Sequence, residues 1–315
     1  MKKNLRIVFM GTPDFAVTIL KKLIEQDYNV VGVITAADKP AGRGRRLHES
    51  AVKTYALSQN LPLLQPKNLK NQDFLDALRR WNADLQIIVA FRMLPERVWN
   101  MPAYGTFNLH ASLLPEYRGA APINWAIING ETKTGVTTFF IDDKIDTGEI
   151  ILQEEIAITD DEIVGELHDK LMHLGADLVV KTVDLITSGN VITTKQPELE
   201  EKEAPKLYPD NCKIDWSKTT NQVYNHIRGL NPYPAAWTTI LNNGQEISAK
   251  LYAVEKELTD HHLEPGKIIT TKKELKIAVS DGYIRVKSLK LSGKKKMDTA
   301  SLLNGFQFGE NAIAL

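Results

Sequence analysis

The sequence predicts an α/β protein in two parts, an open and mostly parallel sheet followed by a smaller β-rich domain. Three observations lead to this prediction. Up to residue 188, short apolar runs alternate with helical patterns, an order typical of β-α-β units. Residues 189–207 form a polar stretch rich in Thr, Glu, Lys and Pro. The residues after it contain shorter alternating runs, as small antiparallel barrels do.

The alternation begins with an apolar run at residues 5–10 that stops at Gly11, as a buried parallel strand does. Thr12 is the expected N-cap and Pro13 the expected first residue of a helix that continues over residues 15–26. Further strands are predicted at 30–35, 61–64, 84–90, 105–110, 136–141 and 149–156, and further helices at 50–59, 73–81 and 161–188. We therefore expect a Rossmann-like domain over residues 1–188.

The long helix is expected to end at Gly189, since glycine is the usual residue just after a helix C-terminus. Residues 189–207 are then an exposed linker. Beyond it, a helix near 221–229 and strands at 246–254, 266–270, 275–279 and 283–291 predict an OB-like β-barrel domain over residues 208–315.

Composition excludes a wholly disordered or a fibrous protein. The 315 residues carry 39 basic and 39 acidic side chains and are 43% hydrophobic, which is typical of a globular protein. The single Cys212 allows no intrachain disulfide. The apolar stretch at residues 7–10 is too short for export or a membrane span, so we expect a soluble, cytoplasmic protein. Basic side chains predominate in residues 1–100 and 204–315, which fits either a polyanionic partner or chance segregation of charge.

Neither glycine-containing loop of the first domain is a convincing dinucleotide site. The loop after the first strand lacks the second glycine, and Asp14 would place a negative charge beside the pyrophosphate. The loop with Gly42 and Gly44 has no third glycine. Of the functions considered for this chain, a nicotinamide-dependent dehydrogenase is therefore the one that the sequence supports least.

Residues 105–124 offer the strongest candidate chemistry. Side-chain alternation places Asn108 and His110 on one face of a strand, near its C-terminal end. An amide and a protonated imidazole can both donate to a developing oxyanion, and Asp146 could keep the imidazole charged or move a proton. Such a group needs no nucleophilic side chain and fits a substrate that brings its own amine. Taken singly, a core histidine, a turn asparagine and a solvated loop acid explain these residues better than catalytic roles do.

A resemblance changes this balance. Asn108-Leu-His110, Ser112-Leu-Leu-Pro115, Tyr117-Arg-Gly119 and Ile145-Asp-Thr-Gly148 together resemble the shared core of formyltransferases that use 10-formyltetrahydrofolate. Further motifs resemble the branch of the family that acts on the methionine of charged initiator tRNA: residues 10–15, 38–47, 119–123, 214–216, 227–232 and 293–297, together with Trp237. The resemblance runs from about residue 5 to about residue 310.

The resemblance implies roles for particular residues. It makes Asn108, His110 and Asp146 the catalytic group, with 10-formyltetrahydrofolate as formyl donor and initiator methionyl-tRNA as partner. The implied folate-binding residues are Phe91, Arg92, Met93, Ser112, Leu113, Leu114, Pro115 and Asp142. The implied tRNA-binding residues are Arg43, Arg45, Arg46, Lys294, Lys295 and Lys296. No metal and no membrane are implied, and we expect a monomer.

Two alternatives stay open at this point. The acceptor could be another amine, such as that of a sugar nucleotide, although the basic loop at residues 43–46 argues against it. The protein could also be a non-catalytic RNA-binding relative, although the presence of Asn108, His110 and Asp146 argues against that.

Overall fold

The computed structural model describes residues 4–41, 46–197 and 202–315. The chain divides into two compact units. The first comprises Met1–Gly119, Thr134–Ile156 and His168–Glu203, and the second comprises Ala120–Lys133, Ala157–Leu167 and Ala204–Leu315. The sequence-based domain boundaries, at residues 188 and 208, stay a prediction.

The first part of the chain alternates strands and helices. In chain order the elements are β1 (Ile7–Gly11), α1 (Asp14–Glu25), β2 (Val30–Ile34), β3 (Lys39–Ala41), β4 (Arg46–His48), α2 (Ala51–Ser58), β5 (Leu63–Leu64), α3 (Gln72–Arg80), β6 (Leu85–Val89), α4 (Glu96–Trp99), β7 (Thr106–His110), β8 (Arg118–Gly119), α5 (Pro122–Ile128), β9 (Lys133–Phe140), β10 (Ile150–Ala157) and α6 (Val164–Ser188).

In the described part of the first unit, seven strands form a sheet in the order β10-β9-β7-β6-β1-β2-β5. The five neighbouring strands β7, β6, β1, β2 and β5 are parallel, and β9 is antiparallel to β7. From β1 the chain first builds outward through β2 and β5 and then returns to β6 and β7 on the other side. Ligands of open α/β sheets bind at the carboxyl ends of the strands beside such a reversal. β6 and β7 reach that edge at Val89 and His110.

The glycine at the end of β1 has a packing explanation. A Cβ on Gly11 would lie 2.6 Å from the Cβ of Ala16 and 3.1 Å from the carbonyl oxygen of Val89. Only a residue without a side chain therefore allows α1 and β6 to pack this closely around the end of β1.

The expectation that Thr12 caps the first helix is wrong. Pro13 occupies the N-cap position with an extended backbone (ψ 176°), and no side chain caps the helix. Helical dihedral angles begin only at Asp14, so Thr12 lies one residue too far from the first turn. Asp14 stabilises that turn through its charge at the positive end of the helix dipole.

The remainder of the chain is mostly antiparallel. Its elements are β11 (Glu203–Ala204), a 3₁₀ turn (Asp210–Cys212), α7 (Thr220–Arg228), β12 (Ala236–Asn242), β13 (Gln245–Leu258), β14 (Ile268–Thr270), β15 (Leu275–Val279), β16 (Gly282–Leu291), β17 (Met297–Asp298), α8 (Thr299–Leu303) and β18 (Ile313–Ala314).

The strands of the second unit form a nearly closed barrel. Six of the described strands follow the order β14-β15-β16-β13-β12-β18, and β17 pairs with β16. The two ends of this path meet: the amide of Ile268 donates to the carbonyl of Ala312 (3.1 Å), and the amide of Ala314 donates to the carbonyl of Gly266 (2.8 Å). The predicted fold, a Rossmann-like α/β sheet followed by a β-barrel, is confirmed.

The sequence suggests that the whole segment after α6 is exposed, but the structure shows that parts of it are buried. Gln196 is 7% exposed and Ala204 is fully buried. Thr194 exchanges two backbone hydrogen bonds of 2.8 Å with Ile150, at the start of β10. The polar composition that predicts a linker therefore includes side chains that pack into the protein.

Candidate active site

Asn108 and His110 lie on β7 as the alternation predicts. The intervening Leu109 is 4% exposed and faces α6, where a Cβ on Gly175 would lie 2.7 Å from its Cδ2. Asn108 is half-buried, and its side-chain amide has no hydrogen-bond partner among the residues that the structure describes. An amide in this state is free to bind a polar group of a substrate.

The ring of His110 is held in one orientation. Its Nε2 lies 2.8 Å from the backbone carbonyl oxygen of Tyr117, in a buried contact. Because a carbonyl oxygen only accepts, Nε2 carries the hydrogen of this bond. The other nitrogen, Nδ1, then faces the Oδ2 atom of Asp146 at 3.8 Å. The structure therefore brings the predicted histidine and aspartate together.

Asp146 is fixed at both its side chain and its backbone. Its Oδ2 accepts a 3.0 Å hydrogen bond from the amide of Gly119. Its carbonyl oxygen accepts from Nε of Arg118 (3.0 Å) and from Nε2 of Gln196 (2.9 Å). Its φ of 55° lies in the left-handed region, which a residue with a side chain keeps only where its surroundings fix it.

The loop at residues 142–148, called here the Asp146 loop, has its own internal contacts. The carboxylate of Asp142 accepts hydrogen bonds from the Thr147 hydroxyl (2.8 and 3.0 Å) and the Lys144 amide (3.0 Å). A Cβ on Gly148 would lie 1.6 Å from the carbonyl oxygen of Phe140, so only glycine fits where the loop rejoins the sheet. Asp142, a predicted folate residue, thus shapes the loop.

The segment from Ser112 to Pro115 is largely buried, with Leu113 half-buried. The Ser112 hydroxyl donates to the carbonyl of Glu116 (2.7 Å). The Thr137 hydroxyl donates to the carbonyl of Ser112 (2.6 Å), and Gln153 donates to the carbonyl of Leu114 (2.9 Å). The Ser112 hydroxyl therefore supports the conformation of its own loop.

Phe91, Arg92 and Met93 follow the carboxyl end of β6. The Arg92 guanidinium donates to the backbone carbonyls of residues 66 and 67, at 3.0 Å for the latter, and lies 5.6 Å from the ring of Phe91. Met93 is 64% exposed. The charged side chain of Arg92 therefore hydrogen-bonds to the backbone of the protein, whereas the apolar side chain of Met93 is exposed to solvent.

Ile141 connects the two predicted folate segments. It packs against the core cluster that Phe91 also joins, and against the cluster of Leu114, Phe139 and Ile150. The next residue, Asp142, begins the Asp146 loop. Phe91 and Leu114 therefore each belong to a cluster that also contacts Ile141, the residue before the Asp146 loop.

The predicted tRNA-binding residues fall in two places. Arg43 and Arg45 lie outside the described residues, and Arg46 is the first residue of β4. Lys53 pairs with Asp38 (2.5 Å) and Glu49 (2.7 Å), which lie just before β3 and just after β4. Lys53 therefore joins the segment before β3 to the segment after β4.

The lysines at residues 294–296, called here the lysine turn, join β16 to β17 and are exposed. Nζ of Lys294 lies 5.9 Å from the ring centroid of Phe306, and Nζ of Lys296 lies 4.3 Å from that of Tyr252. These cation–π contacts leave the ammonium groups at the surface of the barrel.

Two further features bear on the function. Within residues 4–41, 46–197 and 202–315, no group of three or more His, Cys, Asp or Glu side chains could hold a metal ion. In the same part of the chain, each helix is too short or too polar to span a bilayer.

Comparison with known protein families identifies the chain. Residues 5–183 match the family described as formyl transferase, and residues 206–307 match the formyl transferase C-terminal domain. The chain belongs to the formyl transferase family. Its two matched regions correspond to the sheet-containing and the barrel-containing parts of this formyl transferase.

Similar proteins agree with this assignment, and a solved structure shares the fold. The formyl transferase is 61% identical over 313 residues to the methionyl-tRNA formyltransferase of Flavobacterium psychrophilum, covering 99% of both chains. It is 56% identical to that of Bacteroides fragilis, covering 98% of this chain and 97% of the relative. A crystal structure of WlaRD, a sugar 3N-formyl transferase in the presence of dTDP and 5-N-formyl-THF, superposes with a TM-score of 0.65 at 20% identity, covering 92% of this chain and 99% of that chain.

Arg118, Gly119 and Gln196 contact Asp146, although the sequence alone indicated no role for them. Arg118 stands inside one of the motifs that carry the resemblance, so that motif could have indicated it. Gln196 lies in a polar stretch with no motif, and no local pattern indicates its burial.

Proposed function

We propose that this formyl transferase moves the formyl group of 10-formyltetrahydrofolate to the α-amino group of methionine on initiator tRNA. The observation that carries the proposal is its similarity, over almost the entire chain, to methionyl-tRNA formyltransferases. We further propose that it acts in the cytoplasm, as a monomer and without a metal ion.

The residues around β6 and β7 fit a folate. Met93 presents an exposed apolar side chain beyond β6, where the flat face of a pterin can pack. The half-buried amide of Asn108, unpaired among the described residues, fits a formyl oxygen. Backbone groups of residues 89–94, Leu113 and the rim of the Asp146 loop complete the proposed folate site.

We propose separate roles for the two nitrogens of His110. Nε2 is committed to the carbonyl of Tyr117, so Nδ1–H of the protonated ring donates to the oxygen of the tetrahedral intermediate. Asp146, 3.8 Å away, stabilises the positive charge on the ring. The Asn108 amide is the second donor to that oxygen. One well-placed donor of this kind stabilises a transition state by about 3–4 kcal/mol.

The proposed chemistry needs no covalent enzyme intermediate. The methionine amine attacks the formyl carbon, the bond from that carbon to N10 breaks, and one proton passes from the amine to N10. Asp146 relays this proton through water. Since an α-amine has a reference pKa of about 7.7–8.0, an appreciable fraction is neutral near pH 7 without a strong base.

We propose that the tRNA contacts residues 43–46 and the lysine turn. Arginine binds phosphate and stacks on bases, and lysine supplies charge to the phosphate backbone. The exposed ammonium groups of Lys294 and Lys296 support the second contact. Such contacts add affinity with little sequence specificity.

The test compares acceptors with one formyl donor. Purified protein is incubated with 10-formyltetrahydrofolate and either methionyl initiator tRNA or a sugar nucleotide that carries a primary amine. We expect formylmethionyl-tRNA and no formylated sugar. Formylation of the sugar alone would replace the proposed acceptor. Folate binding without any transfer would favour a non-catalytic RNA-binding relative.

A further inference from the structure

The side chain of Gln196 reaches the Asp146 loop from a distant part of the sequence. It is 7% exposed, and its Nε2 donates to the carbonyls of both Asp146 (2.9 Å) and Gly148 (2.8 Å). Because carbonyl oxygens only accept, the amide nitrogen must face them and the amide oxygen must face away. Gln196 thus holds two points of the Asp146 loop with one group.

Arg118 completes this arrangement. Its Nε and Nη2 donate to the Oε1 of Gln196 at 3.2 and 2.6 Å. Nε also donates to the carbonyl of Asp146 at 3.0 Å. The residue after it, Gly119, donates its amide to the Asp146 carboxylate. Arg118 and Gln196, called here the Gln196–Arg118 pair, therefore fix the backbone of Asp146 from two sides.

The chain anchors Gln196 itself. Two backbone hydrogen bonds of 2.8 Å join Thr194 to Ile150, the first residue of β10. Gln196 is consequently placed by the same sheet that carries β7 and His110. A support anchored on the sheet can set the position of Asp146 relative to the imidazole.

The separation between His110 and Asp146 makes this support consequential. The 3.8 Å between Nδ1 and Oδ2 exceeds an ordinary hydrogen bond, so the pair interacts through charge and leaves Nδ1 free to donate elsewhere. If Asp146 moved a fraction of an ångström towards the ring, its carboxylate would come within hydrogen-bonding distance of Nδ1. If it moved away, its charge interaction with the ring would weaken. Rates of positioned reactions depend steeply on displacements of this size.

We infer that Gln196, together with Arg118, is a positioning residue for Asp146 in the transfer reaction. This inference rests on the proposed function. Neither residue needs to touch a substrate. The pair acts by holding the Asp146 backbone, so its loss lowers the rate of transfer while leaving the affinity for tRNA unchanged.

Two substitutions of Gln196 test the inference. Gln196→Met keeps the length of the side chain and removes both hydrogen-bonding groups. Gln196→Glu keeps the acceptor for Arg118 and removes the donors to the Asp146 and Gly148 carbonyls. We expect each to lower kcat by about 10- to 100-fold, with the KM for methionyl-tRNA within about twofold of wild type. The matched control is Ile192→Ala, an 86% exposed residue of the same segment, with unchanged kcat.

A double-mutant measurement separates positioning from general structural support. In an Asp146→Ala background, Gln196→Met is expected to add less than about a twofold loss in single-turnover rate, because the carboxylate that it positions is already absent. Melting temperatures of all variants confirm that they are folded. An unchanged kcat in both single variants would overturn the inference, as would a full additional loss in the Asp146→Ala background.

These outcomes are distinct from failure of the proposed function. If the wild-type protein, which is the control for the variants, does not formylate methionyl-tRNA, the proposed function is wrong. If wild type is active and the Gln196 variants match it, only the positioning inference fails.

Discussion

The Asp146 loop and the lysine turn are built in opposite ways. In the loop, both the carboxylate and the carbonyl of Asp146 accept hydrogen bonds from residues far away in the sequence. In the lysine turn, the three side chains are exposed, and those of Lys294 and Lys296 lie over the rings of Phe306 and Tyr252. The first arrangement fixes the position of one group, whereas the second provides charge without fixing a geometry. Substitutions in the loop should therefore change rates, and substitutions in the turn should change affinity.

The largest effect is expected at the histidine that Asp146 faces. His110→Ala removes a proposed oxyanion donor and should lower kcat by about 10²–10³-fold. The side chain makes one hydrogen bond, to the Tyr117 carbonyl, in the described part of the protein, so the variant should still fold. Steady-state kinetics and thermal melting measure both effects. His173→Ala, an exposed histidine on α6, is the matched control. Near-normal turnover by His110→Ala would remove the catalytic assignment.

A smaller effect of a different kind is expected at the lysine turn. Replacing Lys294, Lys295 and Lys296 with alanine should raise the KM for methionyl-tRNA several-fold and leave kcat unchanged. The slope of log KM against log salt concentration should fall by about 1 for each phosphate that the variant no longer binds. Lys272→Ala with Lys273→Ala removes charge elsewhere on the barrel. If this control raised KM equally, total charge rather than the lysine turn would explain the effect.

The smallest effect is expected on stability alone. The Thr220 hydroxyl and amide donate to the Asp281 carboxylate at 2.7 and 2.6 Å, and these bonds hold the pKa of that carboxyl below its ordinary value. Asp281→Asn should lower the Tm by a few degrees at pH 7 and leave kcat unchanged.

The pH dependence of this stability effect follows from the direction of the shift. Because the pKa of this carboxyl is lower in the folded state, the ionised carboxylate stabilises the protein at pH values above the ordinary carboxyl pKa. This stabilisation is lost as the pH falls through the pKa that the carboxyl has in the folded state. The Tm difference between wild type and Asp281→Asn should therefore shrink below about pH 4. A difference independent of pH from 7 to 3 would contradict this account of Asp281.

Local patterns predicted the elements that carry the site. The apolar run before Gly11 and the alternation at Asn108 and His110 depend on neighbours in sequence, so the strands and the shared face could be inferred directly. Helix termini were harder, because the extended backbone of Pro13 moves the start of α1 beyond the reach of Thr12.

Contacts between distant residues could not be inferred in this way. Gln196 bonds to a residue 50 positions away, and a polar residue among threonines, lysines and prolines looks like part of a linker. The structure alone shows that it is buried. The same limit applies to His110, whose two ring nitrogens acquire different partners only once Tyr117 and Asp146 are in place.

We propose that Asp146 acts in the chemical step, and single-turnover formyl transfer isolates that step. Wild type and Asp146→Asn are mixed with saturating 10-formyltetrahydrofolate and methionyl initiator tRNA, and the tRNA dissociation constant is measured separately. We predict a rate about 10²-fold lower in the variant, with unchanged tRNA affinity. A single-turnover rate within twofold of wild type would contradict the account.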